Sequence, residues 1–424
     1  MLLSHNNCTI CVLGLGYVGL PLALEFGKKY KVIGFDKDRA RIKDLCSGVD
    51  RNSESSRNSI NMSNIKFSSD LDAIKDADVY IITVPTPVDE NNIPDLSILR
   101  AASSHVGHNL AVGNVVIYES TVYPGVTEDI CVPLLSEASG LQFNSDFVVG
   151  YSPERINPGD KSRHLPDIVK VTSGSNEAAS LFIDLLYSSI ITAGTHRAES
   201  IKVAEASKVI ENVQRDTNIA LMNEFSGIFD SLSINTAEVL KAAGTKWNFM
   251  PFKPGLVGGH CIGVDPFYLI HKANKIGVES DLMKAARKIN ENVPAFIVQK
   301  LVKHCSLKGI QLDKAKVLIL GCSFKEDCPD IRNSKVMTLY SLALEWFPSV
   351  EIEDEVVAAE EVMRDYGFEI NKTKDVTFDI VILAVPHSYI IEKGVASIKS
   401  RLCKDGIFFD VKSIFPAALS DLRL

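Results

Sequence analysis

Residues 9–20, TICVLGLGYVGL, combine a short apolar run with three glycines in the pattern G-x-G-x-x-G. The apolar run predicts a buried strand, and the glycines predict a tight turn that leads into a helix. Glycine lets backbone N–H groups approach a pyrophosphate at the start of that helix. The predicted cofactor contacts of this turn are Gly14, Gly16, Tyr17, Val18 and Gly19.

A carboxylate follows at the position where a dinucleotide site requires one. Asp36 ends the next apolar run, KVIGFD (31–36), 22 residues after Gly14. Such a carboxylate accepts hydrogen bonds from ribose hydroxyls and repels a 2′-phosphate, which favours NAD over NADP. Lys37 and Arg41 lie nearby and weaken the exclusion of NADP, and Arg41 is a further candidate cofactor contact.

The remaining pattern predicts the fold class. Strand-like runs alternate with helical patterns in the first half of the chain, and KVLILG (316–321) repeats the strand-and-glycine opening. Between them, residues 198–226 contain neither glycine nor proline and predict an unusually long helix. We therefore expect an α/β protein with two Rossmann-like, doubly wound domains joined by a central long-helix region.

This architecture gives an expected division of the chain. An NAD-binding domain is expected at 1–197, a central helical and dimerisation region at 198–300, and a C-terminal Rossmann-like domain at 301–424. Long helices commonly bridge domains or lie at subunit interfaces, so a homodimer is expected. A ligand site in the cleft between the lobes is the default expectation. The Ser/Asn-rich residues 52–64 predict an exposed excursion.

Composition excludes several classes of protein. A chain of 424 residues with 46% apolar residues and a net charge of −8 is typical of a multidomain globular protein and unlike a general nucleic-acid binder. No membrane-spanning run or signal peptide is predicted, which favours a cytoplasmic protein. Nine scattered cysteines suit reduced thiols. Cys8 and Cys11 form a C-x-x-C without a second pair, so no metal site is predicted.

Polar residues follow two later strands. VPTP (84–87) and EST (119–121) place Thr86, Ser120 and Thr121 at the carboxyl ends of strands, where ligands of parallel sheets bind. Ordinary strand-end turns explain these residues equally well, so their assignment as cofactor neighbours depends on the rest of the site.

The long helix carries a polar stripe. Lys208, Asn212 and Arg215 are spaced i, i+4, i+7 and share one face. A solvated stripe is the usual explanation, but apolar neighbours imply a largely buried helix, whose polar groups need partners. GYSPERINPGD (150–160) places Glu154 and Arg155 after another strand-like run.

One cysteine lies in a glycine-rich segment, PGLVGGHCIGVDPF (254–267). A cysteine in such a turn is more often a small core residue than a nucleophile. However, Cys261 precedes a predicted helix start with Asp265 as its cap, and a helix start favours the thiolate form. An NAD domain, an activated thiol and a Lys/Asn pair together suggest oxidation through a sulfur-bound intermediate.

These motifs resemble the UDP-glucose/GDP-mannose dehydrogenase family over essentially the whole chain. The resemblance rests on GLGYVGLPLA, VPTP, ESTVYPG, SPERINPG, ASKVIENVQRDTNIALMNE, PGLVGGHCIGVDP, GCSFKEDCPDIRNS and FFDVKS. SPERINPGD and WNFMPFKPGLVGGHCIGVDPFYL look most like the branch of Vi-antigen and O-antigen type, which oxidises UDP-N-acetylhexosamines. The resemblance implies a four-electron oxidation of the sugar C6 alcohol to a carboxylate with two NAD in succession, for surface polysaccharide precursors.

The resemblance also implies roles for individual residues. Cys261 would be the nucleophile, and Lys208 and Asn212 would stabilise oxyanions, to which preorganised donors contribute roughly 3 kcal/mol each. Glu154 would be the base for the hydrolytic water, and Asp265 would support Lys208 and the sulfur loop. Thr121 would hold that water or the nicotinamide end of the cofactor.

Further residues are implied to bind substrate and cofactor. Arg332 would reach toward NAD. The substrate contacts implied by the resemblance are Arg155, Ile156, Lys208, Asn212, Arg215, Gly255, Phe324, Lys325 and Lys412.

Two departures from the family pattern argue against UDP-glucose. The UDP-glucose enzymes have a carboxylate where this chain has Pro158, and many have arginine where it has Lys412. UDP-N-acetylglucosamine is therefore favoured, and UDP-N-acetylgalactosamine, UDP-glucose and UDP-N-acetylmannosamine remain alternatives. A two-electron hydroxyacid-type dehydrogenase would not need Cys261, and a non-catalytic nucleotide-sugar sensor would bind without turnover.

Overall fold

The computed structural model describes residues 8–52, 55–156, 163–371 and 376–424. The chain divides into two compact units, Met1–Glu211 with Phe267–Val278, and Asn212–Pro266 with Glu279–Leu424. Among the described residues, no helix is both long enough and apolar enough to span a bilayer.

The first unit contains a parallel sheet with the strand order 3-2-1-4-5-6, counted within the described residues. Its strands are buried on both faces, as the apolar runs predict. Its strands are β1 Thr9–Leu13, β2 Lys31–Phe35, β3 Ile65–Ser68, β4 Val79–Ile82, β5 Val115–Tyr118 and β6 Val148–Tyr151. A two-stranded parallel sheet accompanies it, formed by β7 Lys170–Thr172 and β8 Thr195–Arg197.

The second unit contains another parallel sheet, with the order 10-9-11-12-13 in the part of the chain that is described. Its strands are β9 Lys316–Leu320, β10 Ser349–Glu353, β11 Phe378–Leu383, β12 Leu402–Asp410 and β13 Leu422–Arg423. Both strand orders are those of doubly wound nucleotide-binding folds, so the predicted fold class is confirmed.

Helices connect the strands and cover the sheets. The α-helices are α1 Gly19–Gly27, α2 Arg39–Cys46, α3 Arg57–Asn61, α4 Ser97–Gly107, α5 Val132–Ser139, α6 Glu177–Ser188, α7 Ile201–Ser231, α8 Thr236–Ala243, α9 Asp265–Lys275, α10 Asp281–Lys308, α11 Lys335–Leu344, α12 Ala359–Tyr366 and α13 Ser388–Ser400. A π-helical turn, Thr127–Cys131, leads into α5, and 3₁₀ turns occupy Leu71–Ile74, Leu165–Asp167 and Ala417–Leu419.

Two helices differ from the pattern-based expectation. The long helix α7 continues through Gly227 to Ser231, because one glycine in a helix costs only about 1 kcal/mol and packing outweighs it. The segment 52–64 is not entirely an exposed excursion. It contains α3, whose Ile60 is buried in the core of the first unit.

The second glycine turn has been converted into a structural feature. Gly321 N donates to Glu353 O at 2.9 Å, and Cys322 N donates to the Asp354 carboxylate at 2.7 Å. His387 Nε2 lies 3.1 Å from the same carboxylate, and both side chains are fully buried. Burial alone would raise the pKa of Asp354, but the hydrogen bond and charge of His387 lower it to about 2. The carboxylate that a ribose would meet is thus occupied by a histidine.

Candidate active site

The first glycine turn presents an open backbone surface. Gly14 has a φ of +94°, which a side chain would disfavour, and a Cβ on Gly19 would lie 1.8 Å from the carbonyl oxygen of Gly14. A Cβ on Gly16 would meet no atom of the described residues within 4 Å. Two glycines are therefore required by the turn itself, and the third leaves room for a phosphate beside the start of α1.

Two charged side chains hold this turn from the protein side. Leu15 N donates to the Asp36 carboxylate at 2.9 Å, and Arg41 Nε donates to Leu15 O at 3.0 Å. The Arg41 guanidinium is buried and lies 2.7 Å from the Asp50 carboxylate. The turn is preorganised, with Asp36 half-buried at the edge where a ribose binds, and these residues fit a dinucleotide.

The polar residues after β4 and β5 lie together. Thr86 Oγ1 donates to Thr121 O at 2.7 Å, and Ser120 Oγ donates to Val84 O at 2.6 Å. Tyr268 donates its hydroxyl hydrogen to Thr86 O at 2.5 Å. The two strand ends therefore form one hydrogen-bonded edge, as the carboxyl-end rule predicts.

Glu154 follows β6 and is buried. Its Oε1 accepts hydrogen bonds from Arg155 N at 2.6 Å and Ile156 N at 2.5 Å. Its Oε2 lies 3.5 Å from Lys170 Nζ. The Arg155 guanidinium is directed to Glu211 on α7, at 2.8 Å. Pro158, the departure from the UDP-glucose pattern, lies outside the described residues.

The sequence analysis missed a buried network beside Glu154. Lys170 Nζ lies 2.6 Å from Glu119 Oε2, and the Tyr187 hydroxyl donates to Glu119 Oε1. Burial raises the pKa of Glu119, with Lys170 opposing and Glu154 reinforcing the change. Burial by itself would lower the pKa of Lys170, but the two carboxylates raise it. The available signal was a lysine within the apolar run DIVKV (167–171).

The loop that carries Cys261 packs against the segment that follows β9. Gly259 has a φ of +80°, and a Cβ there would lie 2.6 Å from the Phe324 ring. A Cβ on Gly258 would lie 2.6 Å from Asn333 O. These glycines therefore permit a backbone approach that no other residue would allow, with the half-buried Cys261 at the end of the loop.

The next residue of this loop adds a polar anchor that the sequence analysis also missed. His260 Nε2 lies 3.0 Å from Asp330 Oδ2, and Arg332 Nη2 lies 2.6 Å from the same oxygen. Burial alone would raise the pKa of Asp330, but His260 and Arg332 hold it well below its usual range. The predicted NAD contact Arg332 thus binds Asp330 within its own unit.

Helix α9 begins directly after the cysteine loop. Asp265 N donates to Cys261 O at 2.8 Å, and the Asp265 side chain accepts a hydrogen bond from Asn212 Nδ2. Arg215 donates to Asn212 Oδ1. Asn212 and Asp265 are almost fully buried, and Lys208, one turn earlier on α7, is buried as well. The polar stripe on α7 is therefore not a solvated face.

A cavity of about 340 Å³ lies in the second unit, beside the predicted UDP-sugar contacts. A Cβ on Gly255 would lie 3.6 Å from the Lys412 side chain, and Lys412 pairs with Glu326. Asn223, which the sequence analysis missed, bonds both the N–H and the C=O of Gly255, at 2.8 and 3.1 Å. The lining includes Lys241, Phe249, Phe252, Lys253, Lys412 and Ser413. Lysines and aromatic rings suit a phosphorylated nucleoside.

The dinucleotide turn and the second Rossmann-like domain define an NAD-binding dehydrogenase. The chain belongs to the UDP-glucose/GDP-mannose dehydrogenase family. The family's NAD-binding domain matches residues 8–191, its central domain 202–292, and its UDP-binding domain 318–417. These matches confirm the predicted family, enzyme class and cofactor, and they indicate a nucleotide-sugar substrate.

Individual relatives extend over almost the whole chain. The chain is 50% identical over 421 residues to the UDP-N-acetyl-D-glucosamine 6-dehydrogenase of Salmonella typhi, covering 99% of both chains. It is 50% identical to the enzyme of the same name from Pseudomonas aeruginosa, covering 99% of this chain and 100% of that one. The solved UDP-D-ManNAc dehydrogenase of Pyrococcus horikoshii is similar with a TM-score of 0.88 and 30% identity, covering 96% of each chain.

Proposed function

We propose that this chain is an NAD-dependent 6-dehydrogenase of UDP-N-acetylglucosamine, which oxidises the C6 alcohol to a carboxylate in two successive steps. The observation that carries the proposal is the cysteine loop, whose glycines expose Cys261 beside Phe324. Full-length similarity to enzymes of that specificity supports the choice of sugar. UDP-N-acetylgalactosamine, its C4 epimer, is the alternative substrate.

The Cys261 thiolate attacks the C6 aldehyde that the first oxidation produces, and a C–S bond forms to give a thiohemiacetal. Bound NAD supplies the hydride acceptor for each oxidation. The second oxidation leaves a thioester on Cys261. Lys208 and Asn212 stabilise the negative charge that develops on the C6 oxygen, and Asp265 orients Asn212 through the hydrogen bond described above.

Water then hydrolyses the thioester. Glu154 accepts a proton from the water as the water oxygen attacks the carbonyl carbon, and Thr121 positions the water. The C–S bond breaks, its electron pair leaves with sulfur, and the carboxylate product is released. This step requires a carboxylate that is ionised and correctly aimed, and Glu154 meets the requirement because two backbone N–H groups bind its Oε1.

The binding residues follow the same division of labour. NAD is held by the glycine turn, Asp36, Arg41, Thr86 and Ser120, and Arg332 contributes to the same cofactor. UDP-sugar is held by Gly255, Phe324, Lys325 and Lys412, and the acetamido group is recognised through Arg155, Ile156 and Arg215. We propose the corresponding segments as 1–197 for NAD, 198–300 for dimerisation and 301–424 for UDP-sugar.

We also propose a homodimer in the cytoplasm. Four apolar side chains on α7 share one face at i, i+7, i+18 and i+25 and are each 43–55% exposed. They are Val203, Ile210, Leu221 and Ile228. An exposed apolar stripe on a 31-residue helix suits burial against a second copy of the chain.

A parallel assay of four UDP-sugars with NAD tests the proposal. UDP-N-acetylglucosamine should give two NADH per sugar, in preference to UDP-N-acetylgalactosamine, UDP-glucose and UDP-N-acetylmannosamine. Cys261→Ala should abolish acid formation, and Cys46→Ala, which changes an exposed cysteine, should not. One NADH per sugar, or full activity of Cys261→Ala, would refute the sulfur-bound mechanism.

A further inference from the structure

A lysine and a glutamate are buried beside the proposed hydrolytic base, and the mechanism above assigns them no role. Glu119 directly follows β5, Lys170 begins β7, Tyr187 lies in α6 and Glu154 follows β6. All four side chains are at least 90% buried. Lys170 Nζ contacts Glu119 at 2.6 Å, Pro153 O at 3.1 Å and Glu154 at 3.5 Å.

Two buried carboxylates share one ammonium group in this arrangement. A buried ion pair is expensive to desolvate and often contributes no net stability, so a packed apolar cluster would serve the fold equally well. Here the pair lies within electrostatic reach of the one carboxylate that the proposed hydrolysis requires. Within the described part of the chain, Glu154 Oε2 has no hydrogen-bond partner.

We propose that Lys170 is a positioning residue for Glu154: its ammonium group keeps Glu154 ionised and fixes the direction of Oε2 during thioester hydrolysis. Glu119, held by the Tyr187 hydroxyl, draws part of the lysine's charge away and so keeps Glu154 basic enough to accept a proton. The inference rests on the proposed function, because it assigns the pair to the hydrolytic step.

The groups facing Glu154 make opposite predictions for two substitutions. Lys170→Met removes the positive charge, so Glu154 takes up a proton at higher pH. Glu119→Gln removes a competing negative charge but keeps an acceptor for Tyr187, so Glu154 takes up a proton at lower pH. The other nearby charges, Arg155 and its partner Glu211, are unchanged in both variants.

The test follows acyl-enzyme decay in single turnovers with UDP-N-acetylglucosamine and NAD, by rapid acid quench and intact mass measurement across acidic and neutral pH. Lys170→Met should release a burst of two NADH per site, accumulate the acyl adduct on Cys261, and move the acidic limb of hydrolysis upward by about 1–3 pH units. Glu119→Gln should move that limb downward without a burst.

A purely structural ion pair gives a different result. In that case both variants lower stability and total activity, and the acidic limb of hydrolysis stays at its wild-type pH, which would overturn the inference. If Lys170→Met fails to fold, Glu119→Gln and Tyr187→Phe decide the matter, since only Glu119→Gln should shift the limb. Failure of the proposed function is distinguishable, because the wild-type enzyme itself would then form no acyl adduct.

Discussion

The side-chain amide of Asn212 donates a hydrogen bond to the carboxylate of Asp265, and both groups are almost completely excluded from solvent. Arg215 occupies the amide oxygen of Asn212. The orientation of the Asn212 amide is therefore fixed by its two neighbours. An oxyanion donor that is already oriented loses little entropy when charge develops beside it.

Asp265→Ala should damage both stability and turnover. It leaves a buried amide donor without its acceptor, which costs about 1–3 kcal/mol of unfolding free energy. A misdirected Asn212 should lower kcat by about 10–100-fold, by the same free-energy range. Asp265→Asn keeps an acceptor oxygen and is the matched control, with a smaller loss of stability. Thermal unfolding and NADH production measure both quantities, and wild-type kcat in Asp265→Ala would exclude a positioning role.

Gly259→Ala should disrupt the cysteine loop. The new methyl group would lie 2.6 Å from the Phe324 ring at a backbone φ of +80°, so both the backbone and the ring must move. Gly263→Ala is the matched control in the same loop, because its Cβ would find only ordinary contacts from 3.6 Å. We expect Gly259→Ala to lose most NADH formation, and Gly263→Ala to keep it. Equal activity of the two variants would contradict the proposed fit of the loop.

The features that the sequence predicts are those encoded by neighbouring residues. The turn at Gly14, the carboxylate of Asp36 and the start of α9 each depend on a few adjacent side chains. The Lys170–Glu119 and His260–Asp330 pairs join residues 51 and 70 positions apart, and no local pattern encodes either pairing. α3 was missed because polar residues surround its single buried side chain, Ile60, and hide the helical pattern.

Asp36→Asn should weaken the preference for NAD over NADP. The amide oxygen can still accept the hydrogen bond from Leu15 N, so the turn should persist. The lost charge should raise the KM for NAD about tenfold or more, since hydrogen bonds to charged groups contribute about 1.5–3 kcal/mol. Asp38→Asn removes an equal charge two residues away and should leave the ratio unchanged. Parallel titrations with NAD and NADP measure the preference, and an unaltered ratio in Asp36→Asn would exclude Asp36 as its cause.

Ile210→Glu should convert the proposed dimer into monomers. A charge at this exposed position of α7 would have to be buried or repelled in a helix-to-helix contact between two chains. Met62→Glu places the same charge on another exposed apolar residue, outside α7. Size-exclusion chromatography with light scattering should give a dimer for Met62→Glu and the wild type. A wild-type monomer, or a dimer that survives Ile210→Glu, would contradict the interface.

Glu205 should make the first unit sensitive to pH. This buried residue of α7 accepts hydrogen bonds from Gly125 N at 2.5 Å and Thr127 N at 2.9 Å, just after the strand end that carries Thr121. Burial raises its pKa from 4.5 to about 7, although the two N–H groups oppose the change. The folded state therefore binds a proton that the unfolded state releases, and this contribution to stability is complete below about pH 4.5 and lost as pH rises through about 7.

Glu205→Gln, which is neutral at every pH, should remove this dependence. The difference in unfolding free energy between the wild type and the variant should fall by up to about 3 kcal/mol as the pH rises from acidic to neutral, and should then be constant. Glu224→Gln changes an exposed residue of the same helix and should show no such trend. Chemical unfolding of the three proteins over this pH range measures the difference. A constant gap between the wild type and Glu205→Gln would mean that Glu205 keeps one ionisation state throughout, with the two backbone N–H groups fully offsetting its burial.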